Sequence, residues 1–133
     1  MTVFDFKDEG VWFDMEDGGR VKLRTLTPSD WVVIRKATVK KEPVVQKVEG
    51  GKHQLFEREI TDEYLQVEMI NDASIMSWEN LFDGNDNPIP CTRENKVKLM
   101  MMKDARFRNF VNEKLGILNK ADEEHKEASE KNS

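Results

Sequence analysis

Residues 75–99 read IMSWENLFDGNDNPIPCTRENKVKL, and this stretch decides how the second half of the chain folds. The run DGNDN consists of turn formers, and Pro88 and Pro90 then hold the backbone extended and deny it amide donors. The hydroxyl of Thr92 can cap a new helix, and Glu94 places negative charge near the positive end of that helix dipole. The pattern therefore predicts two helices that are joined by a rigid spacer.

The same loop has the ligand spacing of a helix–loop–helix calcium site. Counting from Asp83, oxygen-bearing side chains stand at positions one, three and five, and Glu94 stands at position twelve. The calcium loop turns sharply at position six and needs glycine there, whereas this chain has Pro88, whose φ is fixed at about −65°. We therefore predict no metal site in this loop.

Length and composition limit both the fold and the function. The chain has 133 residues, a formal net charge of −5 and 35% charged residues, which fits one small domain, predicted over 1–118. Its most basic stretch, 35–41, has no aromatic residue to stack on a base, so we predict no nucleic-acid binding. No apolar run reaches the roughly 18 residues of a membrane span, and the N-terminus lacks the pattern of a secretory signal. We expect a cytoplasmic protein with no membrane partner.

Local patterns predict an α+β fold that is mainly α, with an N-terminal β-hairpin. Alternating apolar residues on both sides of a Gly-Gly turn predict this hairpin at 11–25. Thr27 and Pro28 mark the first helix start, and the stretch 42–54 is interpreted either as a mobile loop or as an irregular hairpin. The segment 119–133 has no apolar residue larger than alanine, which predicts a flexible acidic tail, either a frayed helix or a disordered segment. The predicted helices cover about 28–40, 58–76, 93–103 and 104–118.

Patterns typical of catalysis are scarce. The chain contains no GxSxG, no glycine-rich phosphate loop and no HExxH, and nothing in the sequence pairs Cys91 with an activating histidine. His53 stands apart from any cysteine, serine or acid with which it would form a constellation. A single cysteine also excludes an internal disulfide. We predict a protein that is not an enzyme and has no catalytic residue, no cofactor and no metal.

Methionines and aromatic residues concentrate on the predicted helices on either side of the loop. The flexible thioether of methionine suits either an irregular gap in a core or an adaptable groove for a partner, and the sequence leaves both open. The candidate partner-interface residues are Trp78, Leu81, Phe82, Met100, Met101, Phe107 and Phe110.

Several short motifs follow one another in a fixed order along most of the chain. They are Arg24-x-Leu-Thr-Pro28 at a helix start, Trp78-Glu-Asn-Leu81, Asp83-Gly84, Pro88-Ile-Pro90-Cys-Thr92, Glu94-Asn95 and Phe107-x-x-Phe110-Val111. This order, over about 18–118, resembles the tail assembly chaperones of long-tailed bacteriophages and prophages.

The resemblance implies a small, mainly helical, non-enzymatic protein of the bacterial host cytoplasm that is absent from the mature virion. Its implied partner is the tape-measure protein, which it binds before the tail tube polymerises, with the tail tube protein as a further partner. A tape-measure chain is a long rod with apolar stripes, so its chaperone should offer apolar grooves and self-associate along it. The alternatives are a structural tail or head-tail joining subunit, and a small phage-encoded regulatory binding module.

Overall fold

The computed structural model describes residues 1–4 and 9–131, with side chains as far as residue 124. Within these residues strands also follow the helices, so the fold is mixed α/β, and the prediction of a mainly helical α+β fold with one hairpin is wrong. The elements are β1 (Val11–Asp14), β2 (Arg20–Leu23), α1 (Pro28–Thr38), β3 (Val39–Lys47), β4 (His53–Thr61), α2 (Glu63–Ser74), β5 (Ile75–Glu79), α3 (Arg93–Met101) and α4 (Arg106–Lys131).

The N-terminal hairpin is confirmed, and it gains a third strand. β1 and β2 pair antiparallel with Val11 opposite Leu23. The other edge of β2 pairs antiparallel with β5, with Val21 opposite Trp78, which gives the strand order β1-β2-β5. Gly18 in the turn has a φ of +96°, a conformation that glycine adopts without a steric penalty.

β5 is a strand where the spacing of apolar residues predicted the end of a helix over 58–76. α2 stops at Ser74, whose carbonyl accepts a hydrogen bond from the Arg24 amide at 3.0 Å. The chain then runs along β2, and Ile75 and Trp78 are buried. Pairing an open strand edge and burying two large side chains stabilises the fold more than continuing the helix would.

The core lies between this three-stranded sheet and the helices α3 and α4. The ring of Trp78 contacts that of Phe107 edge to face, with 5.8 Å between centroids, and its Nε1 donates to the Ile89 carbonyl at 2.7 Å. Edge-to-face aromatic pairs stabilise beyond the area that they bury. Trp78 therefore joins the sheet, α4 and the loop before α3. The buried cluster consists of Val21, Leu23, Ile75, Trp78, Met100, Phe107 and Val111.

A second antiparallel hairpin, which we call the arm (residues 39–61), connects α1 to α2. Its nine opposed pairs begin with Val39 opposite Thr61. Of the two interpretations of 42–54, the hairpin is the one that the structure has. Residues 58–61, which were predicted to start a helix, belong to β4 because they continue this register instead.

The two helix starts that were predicted from capping threonines are confirmed. At α1 the Asp30 amide donates to the hydroxyl of Thr27 at 3.2 Å, and the Thr27 amide donates to the Asp30 carboxylate at 2.8 Å. Such a reciprocal capping box satisfies two amides that the helix leaves unpaired. At α3 the hydroxyl of Thr92 accepts from the Asn95 amide at 3.2 Å. Each of these helices ends two residues earlier than predicted.

The last helix is longer than the sequence predicted. α4 begins at Arg106 and continues to Lys131, so the part of the predicted tail 119–133 that the structure describes is helical. Residues 132 and 133 lie outside the described residues. The hydroxyl of Thr25 donates to the Asp122 carboxylate at 2.9 Å, which links this extension to the chain after β2. Alanine, glutamate and lysine are good helix formers, which explains why the helix continues through a segment that has no apolar residue larger than alanine.

Candidate partner-binding site

The seven candidate interface residues do not share one surface. Two of them are exposed, Phe82 to 55% and Met101 to 52%. The other five lie in the core or pack against it, namely Trp78, Leu81, Met100, Phe107 and Phe110. The sequence left open which of these residues belong to the core and which to a groove. The structure assigns five of them to the core and leaves two exposed.

Met101 lines an open groove between α2 and α3. The groove has a volume of about 560 Å³. This volume falls within the range of protein sites that hold small ligands or a few partner side chains. The lining residues are Tyr64, Glu68, Arg93, Glu94, Val97, Lys98 and Met101.

Helical spacing gives the groove an apolar strip. Val97 and Met101 are one turn apart on α3, so they project from the same side of that helix. Val97 is buried, whereas Tyr64 on α2 and Met101 on α3 are exposed. An aliphatic side chain therefore forms the floor, and an aromatic ring and a thioether rise from the two helices at its sides.

Charged residues of both signs border this strip. The Nε of Arg93 lies 2.8 Å from a carboxylate oxygen of Glu68 and links α3 to α2 across the groove. Glu94 and Lys98 add one charge of each sign on α3. Because the charges balance, the groove does not favour a strongly acidic or strongly basic partner. It suits the apolar stripe of an amphipathic segment.

A buried lysine holds the two helices of the groove together. The Nζ of Lys96 donates to the Asp72 backbone carbonyl at 3.2 Å and to its carboxylate at 3.0 Å. A cation near the last carbonyls of a helix also interacts favourably with the helix dipole. This contact ties the C-terminal turn of α2 to the first turns of α3, so the groove is preformed.

The loop before α3 uses its polar groups internally. A carboxylate oxygen of Asp83 accepts from the amides of Asn85 at 2.8 Å and Asn87 at 3.1 Å. In such an Asx turn the side chain of an aspartate accepts hydrogen bonds from the backbone amides that follow it.

Burial raises the pKa of the Cys91 thiol, which lowers its nucleophilicity at neutral pH. Among the residues that the structure describes, no three His, Cys, Asp or Glu side chains cluster as metal ligands would.

Two surfaces were missed by reasoning from the sequence. Tyr64 is not among the candidate interface residues, yet in the structure it lies exposed at the open side of α2. The arm exposes Val45 and Leu55. The sequence contains a signal for this hairpin, because β-branched and aromatic residues flank the Gly50-Gly51 turn on both sides. The burial of α2 could not be read from its own residues.

The chemistry of the groove is that of a binding surface. It presents an aromatic ring, a branched aliphatic side chain and a flexible thioether, which together adapt to apolar side chains of different shapes.

No helix within the described residues is long and apolar enough to cross a bilayer. Comparison with protein families, with curated proteins and with solved structures finds no match to this chain.

Proposed function

We propose that this protein is a tail assembly chaperone of a long-tailed bacteriophage or prophage. It binds the tape-measure protein in the host cytoplasm and keeps it in solution until the tail tube polymerises around it. The order of motifs from Arg24 to Val111 supports this class of function. The exposed apolar groove between α2 and α3 is the observation that supports a specific binding mechanism.

In this mechanism the groove takes up side chains from the apolar stripe of a tape-measure helix. Side chains that are three or four positions apart on such a helix point to one side and enter the groove together. They meet Tyr64, Val97 and Met101, while the charged residues at the border face polar positions of the same helix. Binding removes apolar surface from water on both partners, which is the main source of affinity.

The surface of the chain suits the coating of an aggregation-prone rod. A formal net charge of −5 keeps a coated rod soluble through repulsion between neighbouring complexes. Several copies associate along one rod, because a single groove covers only a short part of its length. No chemical step is required, so the protein works as a binding protein and not as an enzyme.

The experiment is coexpression with the tape-measure protein of the same phage or prophage. The wild-type chain is expected to move the tape-measure protein from the pellet to the soluble fraction. Met101→Lys and Tyr64→Lys should lose most of this effect, because each places a charge in the apolar strip. The matched control is Ile117→Lys, which changes an exposed apolar residue of α4 outside the groove.

A tape-measure protein that precipitates equally with and without this chain would contradict the proposal. Mass spectrometry of purified particles separates the chaperone from a structural subunit. A chaperone is absent from finished particles, whereas a tail or head-tail joining subunit would be present in stoichiometric amounts.

A further inference from the structure

The arm has two strand edges with no strand partner among the described residues. β3 and β4 form a two-stranded sheet, and every residue of β4 is exposed. At its base the arm is held by the Asp62 amide, which donates to the Thr38 carbonyl at 2.8 Å, and by Arg35, which lies 3.3 Å from Glu59. Isolated two-stranded sheets are marginally stable in water. The arm therefore gains stability from any strand that pairs with it.

The outer half of the arm exposes apolar residues on both faces. Val45 stands opposite Leu55 on one face, and these side chains are exposed to 62% and 68%. Val44 stands opposite Phe56 on the other face, since neighbouring residues of a strand point to opposite sides. A hairpin that served only as a solvated connection would have no use for apolar pairs on both faces.

The two strands carry complementary charge. β3 has three lysines and one glutamate, a net charge of +2, and β4 has two glutamates and one arginine, a net charge of −1. Opposite charges also face each other within the arm, with Lys41 opposite Glu59 and Glu42 opposite Arg58, the latter pair 3.0 Å apart. Pairing β3 with β3, or β4 with β4, would bring strands of like net charge together.

We propose that successive copies of this chain associate through the arm, with β4 of one copy pairing with β3 of the next. Because β3 and β4 are antiparallel, a copy displaced along the hydrogen-bonding direction meets its neighbour in the register that the arm already uses. Val45 then faces Leu55 of the neighbour, and Lys41 faces its Glu59. The ladder of apolar and oppositely charged pairs continues from copy to copy.

Two features of β3 bear on which strand can pair with it. Pro43 has no amide donor and removes at most one hydrogen bond from the ladder. Lysines on an edge strand discourage pairing with arbitrary strands, whereas the acidic β4 of another copy neutralises Lys41. The contact joins two different surfaces, so it generates a ring or an open chain and not a closed dimer.

This contact supplies the self-association on which the proposed function relies, but its test needs only the purified chain. Light scattering should show a mass that rises with concentration beyond that of a dimer. A chain that stays monomeric at every concentration would overturn the contact. If such a monomer still kept the tape-measure protein soluble, the proposed function would stand without it.

Cysteine cross-linking tests the register in the full chain, with Cys91→Ala as background. Val45→Cys and Leu55→Cys are made in separate chains and then mixed under oxidising conditions. Directly opposed positions suit disulfide geometry, so we expect about tenfold more cross-linked dimer in the mixture than in either variant alone. The matched control is Gln46→Cys mixed with Leu55→Cys, because Gln46 points to the opposite face. Equal cross-linking in Leu55→Cys alone would show β4 pairing with β4 and overturn the proposal.

Exchanging the charges of an opposed pair tests whether β4 of one copy pairs with β3 of another. The double variant Glu42→Arg with Arg58→Glu keeps the opposed ion pair within the arm, so it should associate with itself as the wild type does. Mixed with wild-type chains it sets like charges against each other, and we expect the mixed association to be about fivefold weaker. Equal association of the mixed and unmixed chains would contradict the pairing of β4 with β3.

Discussion

Two hairpins of this chain have similar local patterns and opposite environments. In the N-terminal hairpin Val21 and Leu23 are fully buried, because β5 pairs with β2 and the helices α3 and α4 cover one face of the sheet. In the arm Val45 and Leu55 oppose each other in water. A strand pair contributes a core only when other elements cover it. The apolar residues of the first hairpin therefore stabilise the fold, and those of the arm remain available for binding.

The largest expected effect is that of Trp78→Ala in the body. This change removes the contact with Phe107 and leaves a cavity between the sheet and α4. We expect the free energy of unfolding to fall by about 3–5 kcal/mol, measured by urea denaturation. The control Trp31→Ala removes a half-exposed ring from α1, outside the core, and should cost less than about 1 kcal/mol. Equal losses in the two variants would contradict the position of the core.

The ion pair of Lys96 in the body should contribute more to the free energy of unfolding than the ion pair of Arg58 in the arm. Lys96→Met removes a buried ammonium that bonds the end of α2, while its partner Asp72 stays partly exposed. We expect a loss of about 1–2 kcal/mol in the free energy of unfolding. Arg58→Met breaks an exposed pair in the arm and should cost at most about 0.5 kcal/mol. If the arm variant proved the more destabilised, the contrast between the regions would be wrong.

A pH dependence should arise at the start of α1. Hydrogen bonds from the Arg24 side chain and from the Thr27 amide hold the pKa of Asp30 well below its ordinary range. A carboxylate with a depressed native pKa stabilises the fold above its unfolded pKa of about 3.9 and loses this contribution as the pH falls toward the native pKa. Asp30→Asn should therefore cost about 1–2 kcal/mol at pH 7 and less at pH 3. Denaturation at both pH values checks this, and a cost independent of pH would contradict it.

The smallest expected effect is that of Leu55→Ser in the arm. The side chain is exposed, so the free energy of unfolding of the monomer should change by no more than about 0.5 kcal/mol. Leu23→Ser makes the same substitution in a strand of the body. It should lower the free energy of unfolding several-fold more, because Leu23 is fully buried. Similar losses for the two variants would show that the arm packs against the body.

Local signals were sufficient for part of this fold. The caps at Thr27 and Thr92 and the turn at Gly18 all depend on residues within a few positions of each other. Backbone preferences and side-chain caps act over that range, so a single sequence contains them.

The remaining features depend on distant partners. Ile75 and Trp78 have helical spacing with the residues before them, and they form a strand only because β2 offers an edge. The groove exists because α2 contacts α3 through Lys96 and leaves Tyr64 open, which no property of α2 alone reveals. The candidate residues were chosen for their side-chain type, and tertiary packing then decided which of them were buried.

The most direct test of the contrast between body and arm is a chain with a shortened arm. Residues 42–58 are replaced by Asn-Gly, which joins the opposed residues Lys41 and Glu59 through a two-residue hairpin turn. Urea denaturation of the monomer should give a free energy of unfolding within about 1 kcal/mol of the wild type, because no buried residue is removed. A loss of more than about 3 kcal/mol would show that the arm is part of the folded core and contradict the proposal that it is a binding element.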